Sequence, residues 1–198
     1  MTTDLSTITL AKGNHDDCGN PERCLFEWYN YLTRSKHTDS CPPGVSPVLH
    51  AYGMRLNDAL PDDRRQLLKR YLPNGADVLA GTASDGRDET RSYIALDWLI
   101  RTWTPAWLDL AGLAAEAASL RDLRRIADSI AAQAAGPVIS NAREKSAAAW
   151  DAARAAAKDA AGAAAGAALA PTVALLQDSA IALYDVLISG EWPPDMTP

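Results

Sequence analysis

The sequence predicts an all-α protein, a multi-helix bundle of about seven or eight helices ending in a long alanine-rich helical hairpin. Three observations carry that expectation. Apolar residues recur at spacings of three and four through most of the chain, and no alternating apolar and polar run exceeds a few residues. The 47% apolar content rests on Ala, Leu and Trp, with a single Phe, Phe26, a mixture that favours helix over strand. Prolines, glycines and capping residues punctuate the periodic stretches at helical lengths. The chain of 198 residues can bury roughly 70% of its unfolded surface in one core, so a single helical domain over 1–198 is expected.

Residues 1–22 are polar and interrupted by Gly13, Gly19 and Pro21, which reads as a loose N-terminal arm. A first helix opens at Pro21 and Glu22, with Cys24, Trp28, Tyr31 and Leu32 on one face. Pro42, Pro43 and Gly44 then forbid regular structure. Ser46 before Pro47 is an N-cap followed by proline at the first helical position, and the second helix turns Val48 or Leu49, Tyr52, Leu56 and Leu60 inward. In "PDDRRQLLKRYL" the acids lead and the bases follow, matching both poles of a helix dipole, and this third helix presents Leu67, Leu68, Tyr71 and Leu72. A solvent loop, "TASDGRDE", follows.

From Glu89 a further helix aligns Tyr93, Leu96, Leu99 and Ile100 and stops at Trp103, where Thr104 caps a new one through Pro105. Beyond Gly112, Leu113, Leu120, Leu123, Ala127 and Ile130 keep helical spacing until Gly136, read as a C-cap. Residues 137–190 form the alanine-rich hairpin, interrupted at Pro171, with Val173, Leu176, Ala180, Leu183 and Leu187 inward and Gly190 as cap. Residues 191–198 are a tail.

The formal charge of −6 argues against a general affinity for nucleic acid. The basic runs Arg64, Arg65, Lys69, Arg70 and Arg121, Arg124, Arg125 are interleaved with acids, as solvated helix faces are. No secretory signal is read, and the longest apolar stretch, from Ala160, is mostly small residues broken by Pro171, a poor membrane span. The expectation is a cytoplasmic protein without membrane contact. No Walker loop, G-x-G-x-x-G, G-x-S-x-G or H-E-x-x-H is present, which argues against an enzyme. The one catalytic arrangement left is a convergence of Glu27, His37 and Asp39 on a cleft.

All three histidines and all three cysteines lie between positions 15 and 50. His15, Cys18, Cys24, His37 and Cys41 supply the nitrogen and sulfur that zinc takes, although no close C-x-x-C or H-x-x-x-H pair exists. Zinc is thus the one possible cofactor. A disulfide between Cys24 and Cys41 is a second reading, disfavoured in a reducing compartment. In the third, Cys24 is a small core residue and His37 caps a loop. Two features suit contact with protein. Trp98, Trp103 and Trp107 cluster at helical spacing, which marks core or, where one face is exposed, a partner surface, and Ala149, Ala153 and Ala157 form a smooth stripe from which the charges are displaced.

The stretches "TLAKGNH", "CLFEWYNYLTRSKHTDSC", "VSPVLHAYGMRLNDALPDD", "DWLIRTWTPAWLDLAGL" and "LRDLRRIADSIAAQAAGPVI" resemble a family of uncharacterised alanine-rich helical proteins of actinobacteria and their phages. In that pattern a Cys is followed closely by Glu, then H-T-D, then a second Cys before a V-x-P helix start. Cys24, Glu27, His37, Thr38 and Asp39 match it, but Gly44 stands where the second Cys would be and Cys41 lies three positions early. The departure weakens both the disulfide and the zinc readings. The resemblance implies no activity. Together these features predict a non-enzymatic helical protein acting by self-association or by binding a bacterial or phage protein. The alternative is a small regulatory protein whose zinc-stapled N-terminal segment contacts nucleic acid.

Overall fold

The computed structural model describes residues 4–15, 22–156 and 162–193, the side chains at 150–156 and 162–168 excepted. Among the described residues all regular structure is helical, apart from one isolated parallel bridge between Leu10 and Arg23. The helices are α1 (Leu25–Arg34), α2 (Pro47–Ala59), α3 (Asp62–Arg65), α4 (Asp88–Trp98), α5 (Thr104–Leu110), α6 (Ala114–Arg121), α7 (Ser129–Ala156) and α8 (Gly162–Ser189). Among the described residues there are eight if the single turn α3 counts and seven without it. The all-α class holds. The chain divides into two compact units, Met1–Arg91 with Ala180–Glu191, and Ser92–Ser179 with Trp192–Pro198.

In the first unit, α1 begins at Leu25 with Cys24 as N-cap residue, later than the proline start implied, and Glu27 reaches back to accept from the Cys24 N–H at 2.7 Å. Ser46 caps α2 as expected, its Oγ accepting from the Val48 and Leu49 N–H groups at 3.2 and 3.3 Å. Gly53 on α2 is required by contact: a methyl group there would sit 2.7 Å from the Tyr184 hydroxyl and 2.9 Å from Phe26. The third helix is only one α-turn, tightening to a 3₁₀ stretch over Gln66–Tyr71. Three residues per turn stack Arg65, Leu68 and Tyr71 inward, all 3% exposed or less, and rotate Leu67 out to 49%.

The described part of the N-terminal segment is not loose. Ile8 and Leu10 are buried, and the Gln66 amide pairs with both the N–H and the C=O of Leu10 at 2.9 Å. The last turns of α8 are held by arginines. Arg91, fully buried, donates to Leu187 O at 2.8 Å and Thr82 O at 3.2 Å and pairs with Asp85 and Asp88. Arg87 donates to Ser189 O. Gly190 ends α8 with φ +63°, as the sequence predicts.

The second unit has a core of Ile100, Leu108, Ala117, Leu120, Ile126, Ala135 and Ala142. The helix expected from Leu113 to Gly136 is in fact two. α6 ends at Arg121, whose carbonyl accepts from Arg101 at 3.4 Å. The next residues cross to Ile126, whose N–H donates to the buried Asp97 carboxylate at 2.8 Å. Asp128 Oδ1 then accepts from the Ala131 N–H at 2.7 Å, opening α7.

α7 does not stop at Gly136; it continues through Pro137. Gly136 lacks the Cβ that the proline ring would strike, so the helix carries the missing bond rather than ending. α8 likewise passes through Pro171, behind the small Ala170. Leu169–Ser189 is long and apolar enough to cross a bilayer by length and composition, with mean hydropathy 1.3. Within it, Leu183, Tyr184 and Leu187 are buried in the first unit. The turn expected between the two long helices lies outside the described residues.

Candidate functional site

The tryptophan segment is one continuous helix, not two. Between α4 and α5 the chain makes a π-helical turn over Leu99–Trp103, and Thr104 has helical dihedrals rather than those of an N-cap. The cause is Pro105. It has no N–H for the Arg101 carbonyl and its ring crowds that carbonyl, so the helix widens by one residue upstream. The Thr104 hydroxyl donates to Leu99 O at 2.7 Å across the widened turn.

This insertion decides which tryptophans meet. Trp98 and Trp103 have ring centroids 5.4 Å apart, and Trp103 and Trp107 6.0 Å, so the three form one aromatic row. Trp98 is its inner end, buried, with Nε1–H donating to Ser179 Oγ at 2.8 Å. Trp107, half-buried, is its outer end.

Trp107 lines a groove of about 510 Å³ with Leu110 from α5, Ala111 just after it, Ser146 and Ala149 from α7, and Leu169 from α8. Among the described residues none that lines it is charged. Trp107 and Ala149, singled out separately in the sequence, thus share one apolar surface. Ala153 lies on α7 with its side chain outside the described residues, and Ala157 is wholly outside them. Leu110, Ala111 and Ser146 were legible from spacing, three or four residues from Trp107 or Ala149. Leu169 carries no such signal, because tertiary packing alone brings it there.

The histidines and cysteines engage different partners. His15 Nδ1 lies 2.9 Å from Glu27 Oε2, and its N–H donates to Glu27 Oε1 at 2.6 Å. His37 Nδ1 is 2.8 Å from an Arg23 guanidinium nitrogen, and that guanidinium lies 4.8 Å from the rings of both Trp28 and Tyr31. The Cys41 thiol donates to Val45 O at 3.4 Å. Cys24 and Cys41 are both free thiols, not a disulfide. Cys18 lies outside the described residues. Among the described residues no three His, Cys, Asp or Glu side chains form a metal-holding group.

Burial pushes the Cys24 thiol up to about 12, and the adjacent Glu27 charge adds to that shift. It is therefore protonated at neutral pH and a poor nucleophile. Burial raises Glu27 as well, but hydrogen bonds from His15 and Cys24 outweigh it and hold the carboxyl below its ordinary value. Glu27 is consequently a buried structural anion joining the N-terminal segment to α1. It faces His15, not His37, while Asp39 offers its backbone carbonyl to His50 Nε2 at 2.6 Å. The basic runs are also engaged: Arg65 donates to Asn57 O and Leu60 O, Arg70 pairs with Asp185 and Arg121 with Asp109. No protein-family model, curated protein or solved structure matches the chain.

Proposed function

We propose that the protein acts by binding protein rather than by catalysis, through the apolar groove of the second unit, and that the occupant is a second copy of the chain. The observation that carries this reading is the meeting of Trp107 and Ala149 in one groove whose described lining is uncharged. A large aromatic side chain beside a small one gives a neighbouring helix both an anchor and room to approach. The same unit presents fitting side chains: Ile130 is 76% exposed and Leu175 70% exposed, and either is an apolar knob of the size such a groove accepts. A chain that carries both groove and knob can bind a second copy of itself.

Light scattering over a concentration series tests the reading. The unaltered protein is expected to self-associate, and Ala149→Arg, which puts a charge into the groove, to give a monomer with unchanged helical circular dichroism. A strict monomer at every concentration ends the proposal.

A further inference from the structure

We infer that the pair Asn74 and Gly75 is a site of spontaneous deamidation, at which the protein acquires an aspartyl or isoaspartyl residue. Two places in the sequence invite this ring-closing chemistry, an Asn before Gly75 and an Asp before Gly86. The structure separates them. Asn74, Gly75 and Ala76 are all exposed, and a methyl group placed on Gly75 would meet nothing within 4 Å. Among the described residues the Asn74 side chain makes no hydrogen bond; only its backbone N–H is engaged, with Ala76 O at 3.3 Å. The side chain is therefore free to rotate toward the next peptide nitrogen, and glycine leaves that approach unshielded.

Asp85 is placed differently. Its two oxygens accept from Arg91 at 2.9 and 2.5 Å, and one also accepts from the Arg87 N–H at 3.0 Å. Those bonds fix the carboxylate in place and keep it ionised, a poor acceptor for attack. Arg91 holds Asp85 below its ordinary value, as the clamp requires.

In the reaction the Gly75 nitrogen gives its proton to solvent and attacks Cγ of Asn74. The new C–N bond closes a five-membered imide, and the side-chain nitrogen leaves with a proton as ammonia. Water then opens the imide. Addition at Cγ restores the ordinary backbone and yields Asp; addition at the main-chain carbonyl leaves the chain running through Cγ as isoaspartate. Water is the only co-reactant. Either product adds a negative charge, and isoaspartate lengthens the turn leading to Asp77, which accepts from Tyr29 Oη at 2.7 Å and from the Leu79 N–H at 3.1 Å.

The test is ageing in mildly alkaline buffer, native and in guanidinium chloride, followed by trypsin, chromatographic separation of the aspartyl and isoaspartyl peptides, which have equal mass, and mass spectrometry. Cleavage after Arg70 and Arg87 releases residues 71–87, one peptide that holds both pairs. Native Asn74 is expected to convert within about fivefold of its unfolded rate, while native Asp85 isomerises at least about tenfold more slowly than unfolded. In Asn74→Gln the mass gain disappears from this peptide. Native protection of Asn74 beyond fivefold, or a mass gain that persists in Asn74→Gln, overturns the inference.

Discussion

The two units reach a packed interior by different means. Of the eight buried polar residues among those described, seven lie in the first unit: Glu27, Asn30, Ser46, Asn57, Arg65, Thr82 and Arg91. Each ties a loop or helix end to another part of the chain, as Asn57 does by accepting from the Leu25 N–H at 3.2 Å and donating to Ala11 O at 2.9 Å. Among its described residues the second unit buries Asp97 and otherwise relies on apolar shape, with Ala117, Ala135 and Ala142 in its core. The difference teaches that short helices joined by long loops need directional bonds to choose one arrangement. Long helices with small side chains need close approach instead.

The sharpest way to break that contrast is Arg91→Ala. It strips partners from buried carbonyls and from two acids at once, and should cost about 3–5 kcal/mol in a urea melt; Arg91→Lys should recover little, since an ammonium cannot span Leu187, Thr82 and Asp85 together. A loss below 1 kcal/mol would show that the polar network is ornamental.

For the second unit the matching change is Ala135→Leu, which forces three carbons into a 1% exposed site and should cost about 1–3 kcal/mol by overpacking. An equal melting curve would mean the alanine core is loosely filled.

Glu27 adds a smaller, pH-dependent effect to the first unit. Its folded value lies below the ordinary 4.5, so its contribution is present above that pH and disappears as pH falls through it and below. Melts from pH 6 downward should show a stability slope that Glu27→Gln reduces; an unchanged slope would place the acid sensitivity elsewhere.

The smallest effect should come from Tyr184→Phe. The Tyr184 hydroxyl is buried without a hydrogen-bond partner among the described residues. Its removal should be neutral or stabilising by up to about 1 kcal/mol. A clear destabilisation would reveal a partner, such as a trapped water, for that oxygen.

Legibility follows the same division. Ser46 with Pro47, and Gly190, were readable because capping chemistry acts within a few residues. The joins around Gly136 and Thr104 depart from the sequence pattern, because the proline and glycine there do not stop a helix. A helix continues through proline when the residue before it is small, as at α7, or when a π-turn absorbs the missing bond, as before α5. The pairing of Glu27 with His15 was not visible, since twelve positions separate them in an irregular segment. Half of the groove was visible, because residues three and four apart on one helix share a face whatever lies opposite.

What the residues alone determined was the helical class, the helix caps that rest on local hydrogen bonding, and the faces on which Trp107 and Ala149 lie. Periodicity, propensity and capping operate within one or two turns, so no distant partner is needed to read them. The tertiary structure decided which faces meet, where Arg91 and Glu27 are buried and which glycine-adjacent side chain stays free. Those outcomes depend on contacts between segments far apart in the chain, and burial changes the energy of a charge only after those contacts exist.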